Sequence, residues 1–141
     1  MIFGNTTLGI GRTAALLEKG LDASILRRNL IANNIANVDT PGYKRAELSF
    51  ESQLRRAVDS EIPPRLETYR TDPRHISFNK KIDFRRIEGK ISVEYDTSYR
   101  NDGNNVDIDR ETADAAKNTM HYNLMMEIYN RNIKLLDLAM S

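Results

Sequence analysis

From Ala115 to Met140 one pattern runs without a break. Ala115, Thr119, Tyr122, Met126, Tyr129, Ile133, Leu136 and Met140 step by four and three, and Met125, Ile128, Leu135 and Ala139 make a second row beside them. Steps of four and three put side chains on one face of an α-helix. About 30 residues at 1.5 Å each extend roughly 45 Å. A helix of that reach, apolar on two rows, carries more apolar surface than one partner helix can cover.

A second long helix is predicted from about Thr13. Its seam is Leu17, Leu21, Ser24, Arg28, Ile31, Ile35 and Val38, widened by Ile25 and Ala32. Ser24 and Arg28 are polar, so the seam suits a helix that meets several neighbours. Its roughly 25 residues would span about 37 Å. Upstream, Gly4, Gly9 and Gly11 weaken any helix, and Met1 to Arg12 is read as a flexible tail.

That helix stops within Ala32-Asn33-Asn34-Ile35-Ala36-Asn37-Val38-Asp39-Thr40-Pro41-Gly42-Tyr43-Lys44-Arg45. Pro41 disfavours α geometry at Thr40 and Gly42 can supply the positive φ of a type II turn. Asn33, Asn34 and Asn37 lie three and four apart, opposite Ile31, Ile35 and Val38. Asparagine prefers caps and turns to helix interiors. Two readings stand side by side: a solvated, fraying helix end, or a polar ladder that fixes register against other helices, as a buried Asn does in a coiled coil.

Between the long helices the pattern changes. Leu48, Phe50, Leu54 and Val58 suggest a short helix or irregular amphipathic segment, ended by Glu61-Ile62-Pro63-Pro64. Ile76 and Phe78, Ile82 and Phe84, and Ile91, Val93 and Tyr95 alternate with polar residues, and Glu88-Gly89 is a plausible turn. Alternation of this kind reads as half-exposed strands, so a small antiparallel sheet or hairpin is expected. Asp102-Gly103-Asn104 is turn chemistry. After it, Val106 and Ile108 would anchor the chain, and Asp107 or Asp109 would cap the last helix.

The residues offer little chemistry. There is no cysteine, which removes disulfides, thiolate zinc sites and cysteine nucleophiles together. The two histidines, His75 and His121, lack metal-ligand spacing. Fitted to an EF-hand, Asp102 to Asp109 would put Arg100 in a ligand position, where it cannot coordinate calcium. Gly9-Ile10-Gly11-Arg12-Thr13-Ala14 has no strand before it to make a dinucleotide site. A formal charge of +1 with 29% charged residues argues against nucleic acid. No run approaches the roughly 18 apolar residues of a membrane span, and the N-terminus does not read as a cleavable signal. The chain is expected not to be an enzyme, with no catalytic residue, no cofactor and no metal.

The fold class that follows is mainly α: two long N- and C-terminal helices paired as an antiparallel coiled-coil-like hairpin, with a small irregular or β middle region. The divisions are a tail over 1–12, the N-terminal axial helix and turn over 13–45, an outer middle region with short helix and β-hairpin over 46–105, and the C-terminal axial helix over 106–141. With its second rows uncovered, the free chain is expected to order its terminal helices fully only on assembly.

Ala32 to Arg45 resembles the N-terminal signature shared by the axial proteins of the bacterial flagellum, the rod and hook group. Asp102-Gly103-Asn104-Asn105-Val106-Asp107-Ile108-Asp109, with Thr71-Asp72-Pro73-Arg74-His75-Ile76, is similar to the proximal rod branch of that group. The resemblance implies a structural subunit of the basal-body rod, the shaft that passes torque from the membrane ring towards the hook, with terminal helices lining a tube. It implies export through the flagellum's own channel without a cleaved signal, and a place in the rod crossing the periplasm. Its partners would be other rod proteins, the membrane ring and its adaptor, the export apparatus and further copies, with no nucleic acid and no membrane insertion. A soluble helical adaptor or export chaperone for axial proteins is the alternative. The assembly residues expected are Ile31, Asn33, Asn34, Ile35, Asn37, Tyr122, Met126, Tyr129, Ile133 and Leu136.

Overall fold

The computed structural model describes residues 4–61, 72, 74, 82–96 and 98–140, with backbone alone over 4–10. Its elements are α1 (Gly4–Ala36), β1 (Ala46–Ser49), α2 (Glu51–Ser60), a 3-10 turn (Phe84–Arg86), β2 (Lys90–Val93) and α3 (Ile108–Met140).

Both long helices have 33 residues, so each is about 50 Å long. They run antiparallel. Asn34 meets Glu111, the Ser24 carbonyl accepts from Asn118, Gly20 lies against Met125, and Glu18 accepts from Tyr129. Each step down α1 is a step up α3. At Gly20 an added Cβ would come 2.8 Å from Met125 Sδ, so the missing side chain lets the helices approach.

The apolar core does not lie mainly between these helices. Ala23, Leu48, Phe50, Ala57, Phe84 and Ile87 form one buried cluster, with Leu16, Leu26, Leu30 and Leu54 packed on it. It joins α1 to the middle of the chain. Between α1 and α3 the buried groups are polar instead: Ser24 and Asn34 from α1, Glu111 and Asn118 from α3, all below 6% exposure. Polar contacts of fixed geometry therefore set the register of the pair, and the apolar cluster fixes the middle onto α1.

Several local expectations need correction. The first helix begins at Gly4, not near Thr13. Each glycine costs only about 1 kcal/mol in a helix interior, too little to stop a helix extended from a packed body. Arg12 also holds Glu61 by an ion pair, which ties that stretch to the end of α2. Leu48 belongs to a strand rather than to the short helix, which starts at Glu51.

The sheet is antiparallel and two-stranded, but it is not a hairpin of neighbouring segments. β1 pairs with β2 in the register Ala46↔Val93, Leu48↔Ile91. Leu48 is buried while Ile91 is 48% exposed, because β1 is the strand seated on α1. Phe84, expected in a strand, starts the 3-10 turn instead. There Asp83 Oδ1 accepts from the Arg85 amide, the local bonding by which Asp diverts a chain from a ladder. Ile76 and Phe78 lie outside the described residues.

At the start of α3, Asp107 Oδ1 accepts from the Asp109 amide at 3.0 Å and caps the helix. Val106 is buried at 3% and Ile108 is 47% exposed, so the anchoring falls mainly to Val106.

Candidate assembly site

The two signature stretches close on each other. Gly42 takes φ 72° and Gly103 takes φ 81°, the left-handed region that glycine tolerates. Tyr43 donates its amide to the Thr40 carbonyl, completing the turn over Pro41-Gly42. Gly42 donates its amide to the Asp102 carbonyl at 3.0 Å. Asn104 Nδ2 then lies 3.0, 2.9 and 2.9 Å from the carbonyls of Asn37, Val38 and Thr40. These carbonyls belong to the turn that follows α1, and Asn104 ties that turn down from across the chain. Arg100 adds a bond to the Val38 carbonyl and an ion pair to Asp39, both at 3.0 Å.

A charged centre lies just inside this clasp. Arg45 Nε donates to Glu111 Oε1 at 2.5 Å, with side-chain exposures of 4% and 0%. Arg45 Nη2 reaches Asp114 at 3.4 Å. Nη1 faces Glu47 at 3.2 Å and Glu94 at 3.7 Å as an ion pair, without the alignment of a hydrogen bond. Burial pushes the Arg45 guanidinium down, but Glu111 and Glu47 outweigh it and raise its pKa further above the ordinary value. The arginine stays charged because carboxylates surround it.

Asn34 completes the centre. Its Nδ2 donates to the Ala46 carbonyl at 3.0 Å and to Glu111 Oε2 at 3.1 Å. Its Oδ1 accepts from the Ala46 amide at 3.1 Å and the Tyr43 hydroxyl at 3.3 Å. Asn105 bonds the Arg45 amide and the Glu94 carbonyl, both at 2.7 Å. One helix end, one turn, one strand pair and the start of α3 are thus joined through side chains rather than a shared ladder.

The three asparagines of α1 consequently part company. Asn34 is 1% exposed and its carboxamide is fully engaged within the chain. Asn33 is exposed, and Asn37 is half-buried with Nδ2 on the Asn33 carbonyl. Ile31 is buried and Ile35 half-buried. On α3, Tyr122, Met126, Tyr129 and Leu136 are half-buried, and Ile133 is 40% exposed.

A further row on α3 faces outward: Met120, Leu124, Ile128, Leu135 and Leu138 are 39 to 76% exposed. Their spacing puts them within about a quarter-turn of one another. Periodicity assigned Ile128 and Leu135 to a row with Met125. Met125 instead packs against Gly20.

The stretch from residue 18 to residue 44, most of α1 and the turn of the clasp, matches the family model described as flagella basal body rod protein. The chain is 35% identical over 124 residues to the flagellar basal body rod protein FlgB of Borrelia hermsii, covering 88% of this chain and 92% of the relative. The chain belongs to the FlgB family of flagellar basal body rod proteins. It is also similar to FlgB of Bacillus subtilis strain 168, 39% identical over 116 residues and 81% of each chain. FlgB of Borreliella burgdorferi is 32% identical over 129 residues, covering 92% of this chain and 96% of that one. The likeness to these relatives thus spans 81 to 92% of this chain.

Proposed function

We propose that this FlgB-family chain is a structural subunit of the proximal rod, in which side-by-side helix pairs carry torque from the basal-body membrane ring towards the hook. The observation that carries the reading is a helix pair that leaves an apolar row uncovered along α3, in a chain of a rod protein family. Leu124 and Leu138 are 55% and 76% exposed. An apolar row of that kind marks a surface to be covered by a partner. Torque needs a stiff element, and the buried Arg45–Glu111 centre and the Asn104 bonds brace the α1 end of the pair. The partners proposed are further copies, other rod proteins, the membrane ring with its adaptor, and the export apparatus that delivers the chain. Tyr122, Met126, Tyr129, Ile133 and Leu136, on the flank of α3, are proposed as assembly residues together with the outward row. Asn34 serves by holding the subunit's shape.

Electron microscopy of basal bodies from cells lacking the chain tests this. Rings without rod or hook, in non-motile cells, are expected. Intact rods would overturn the proposal.

A further inference from the structure

A groove of about 590 Å³ runs along α1 between two walls, β1 with α2 on one side and α3 on the other. Its floor and walls include Leu16, Ala23, Leu30, Leu54 and Met125, and Glu47, Asp114 and Lys117 stand along it. Sites of about 300–1,000 Å³ take a drug-sized body, equivalent to several aliphatic side chains. Asn118 also lines it, 5% exposed, with Oδ1 lacking a donor. The groove is thus apolar along its floor, charged with both signs along its walls, and short of one hydrogen-bond donor.

We propose that this groove receives the last turns of α3 from a second copy of the chain. Those turns present Leu135 at 53%, Leu138 at 76% and Met140 at 78% exposure. Lys134 and Asp137 flank them, a cation for Glu47 or Asp114 and an anion for Lys117. Lys134 also supplies an N–H donor of the kind that Asn118 Oδ1 lacks. The same molecule cannot fill its own groove, because Leu135 lies about 15 Å beyond Met125 along one continuous helix. Groove and helix end are different surfaces, so the contact is heterologous and each copy offers one of each. Such contacts leave a free end after every addition and build open arrays rather than closed dimers. The inference rests on the assembly reading above and names the surfaces through which copies would join.

The test is thiol cross-linking in basal bodies, using a chain whose lack of cysteine makes every link assignable. Cells lacking the chain are given a mixture of Leu54→Cys and Leu138→Cys, or Leu16→Cys in place of Leu54→Cys should that variant not fold. A short bis-maleimide is applied to the purified bodies. A mixed 54–138 or 16–138 link is expected, absent from either variant alone and lost when Leu135→Asp is added to the Leu138→Cys chain. Rods that contain both variants but give only 138–138 links, or none, would overturn the groove contact and leave the assembly reading standing. An unmodified, cysteine-free chain that never enters a rod would overturn both.

Discussion

Arg45 Nε and Glu111 Oε1 lie 2.5 Å apart with almost no solvent at either, and this pair ties the residue after the turn to the first turn of α3. Removing one partner of a buried ion pair leaves the other charge unpaired in a poor solvent, at a cost of about 3–5 kcal/mol. Arg45→Met and Glu111→Leu are each expected to lose that much in urea unfolding followed by helical circular dichroism. The double variant should recover a large part of it, since no charge is then stranded between the two positions. Additive losses would show that the two residues do not act as a pair.

The long helices were legible because their signal is periodic, and the turn because Pro41 and Gly42 have few other uses. The antiparallel pairing followed from two apolar stripes of similar length. Of the polar seam, Ser24 and Asn34 were legible, as a polar seam position and a ladder asparagine, whereas Glu111 and Asn118 were not, because they are buried only by what the opposite helix brings to them. Glu111 in particular reads locally as an ordinary first-turn carboxylate. The pairing of Ala46 with Val93 was invisible for a similar reason. Four alternating residues state that a strand is favourable but not which distant segment completes it. The clasp between Gly42 and Gly103 was split into two motifs until the fold put one on the other.

Asn104 offers a sharper test of that clasp. Its Nδ2 serves three carbonyls of the turn after α1, each of which keeps a second donor. Its removal therefore costs about 0.5–1.5 kcal/mol, the net worth of a hydrogen bond rather than of an abandoned acceptor. Asn104→Ala should lose about that amount of stability. Asn104→Asp should lose more, because it aims a carboxylate at carbonyl oxygens while keeping the size. Equal losses in urea midpoint would mean that Asn104 fills space rather than bonding that turn.

Acid should weaken the contact between α1 and α2. Burial at Glu51 favours the neutral acid, but the backbone amides of Glu51 and Phe50 and the Arg27 guanidinium, 2.5 Å away, outweigh it and hold the carboxyl below its usual range. The unfolded chain then binds the proton more tightly than the folded one, so stability rises with pH through this interval. The contribution is present above the unfolded value of about 4.3 and is lost as pH falls through the lower folded one. Arg27→Gln should flatten the acid limb of a urea-midpoint profile; an unchanged slope would remove the Arg27 pair as its cause. The effect is small, since Glu51 is 67% exposed and water screens the pair.

The outward row and the inward residue beside it should separate assembly from folding. Leu124 is 55% exposed, whereas Met125 packs against Gly20 on α1. A charge placed on an exposed residue away from buried features usually changes stability by less than about 0.5 kcal/mol. Leu124→Asp should therefore unfold like the parent chain in urea. In cells it should fail to enter rods, because covering that row with a neighbour would bury an unpaired carboxylate. Met125→Asp should fail earlier, with a lowered urea midpoint, since its carboxylate faces the helix pair itself. Normal rods built with Leu124→Asp would remove the outward row from the assembly surface, and an unchanged midpoint for Met125→Asp would contradict the close approach at Gly20.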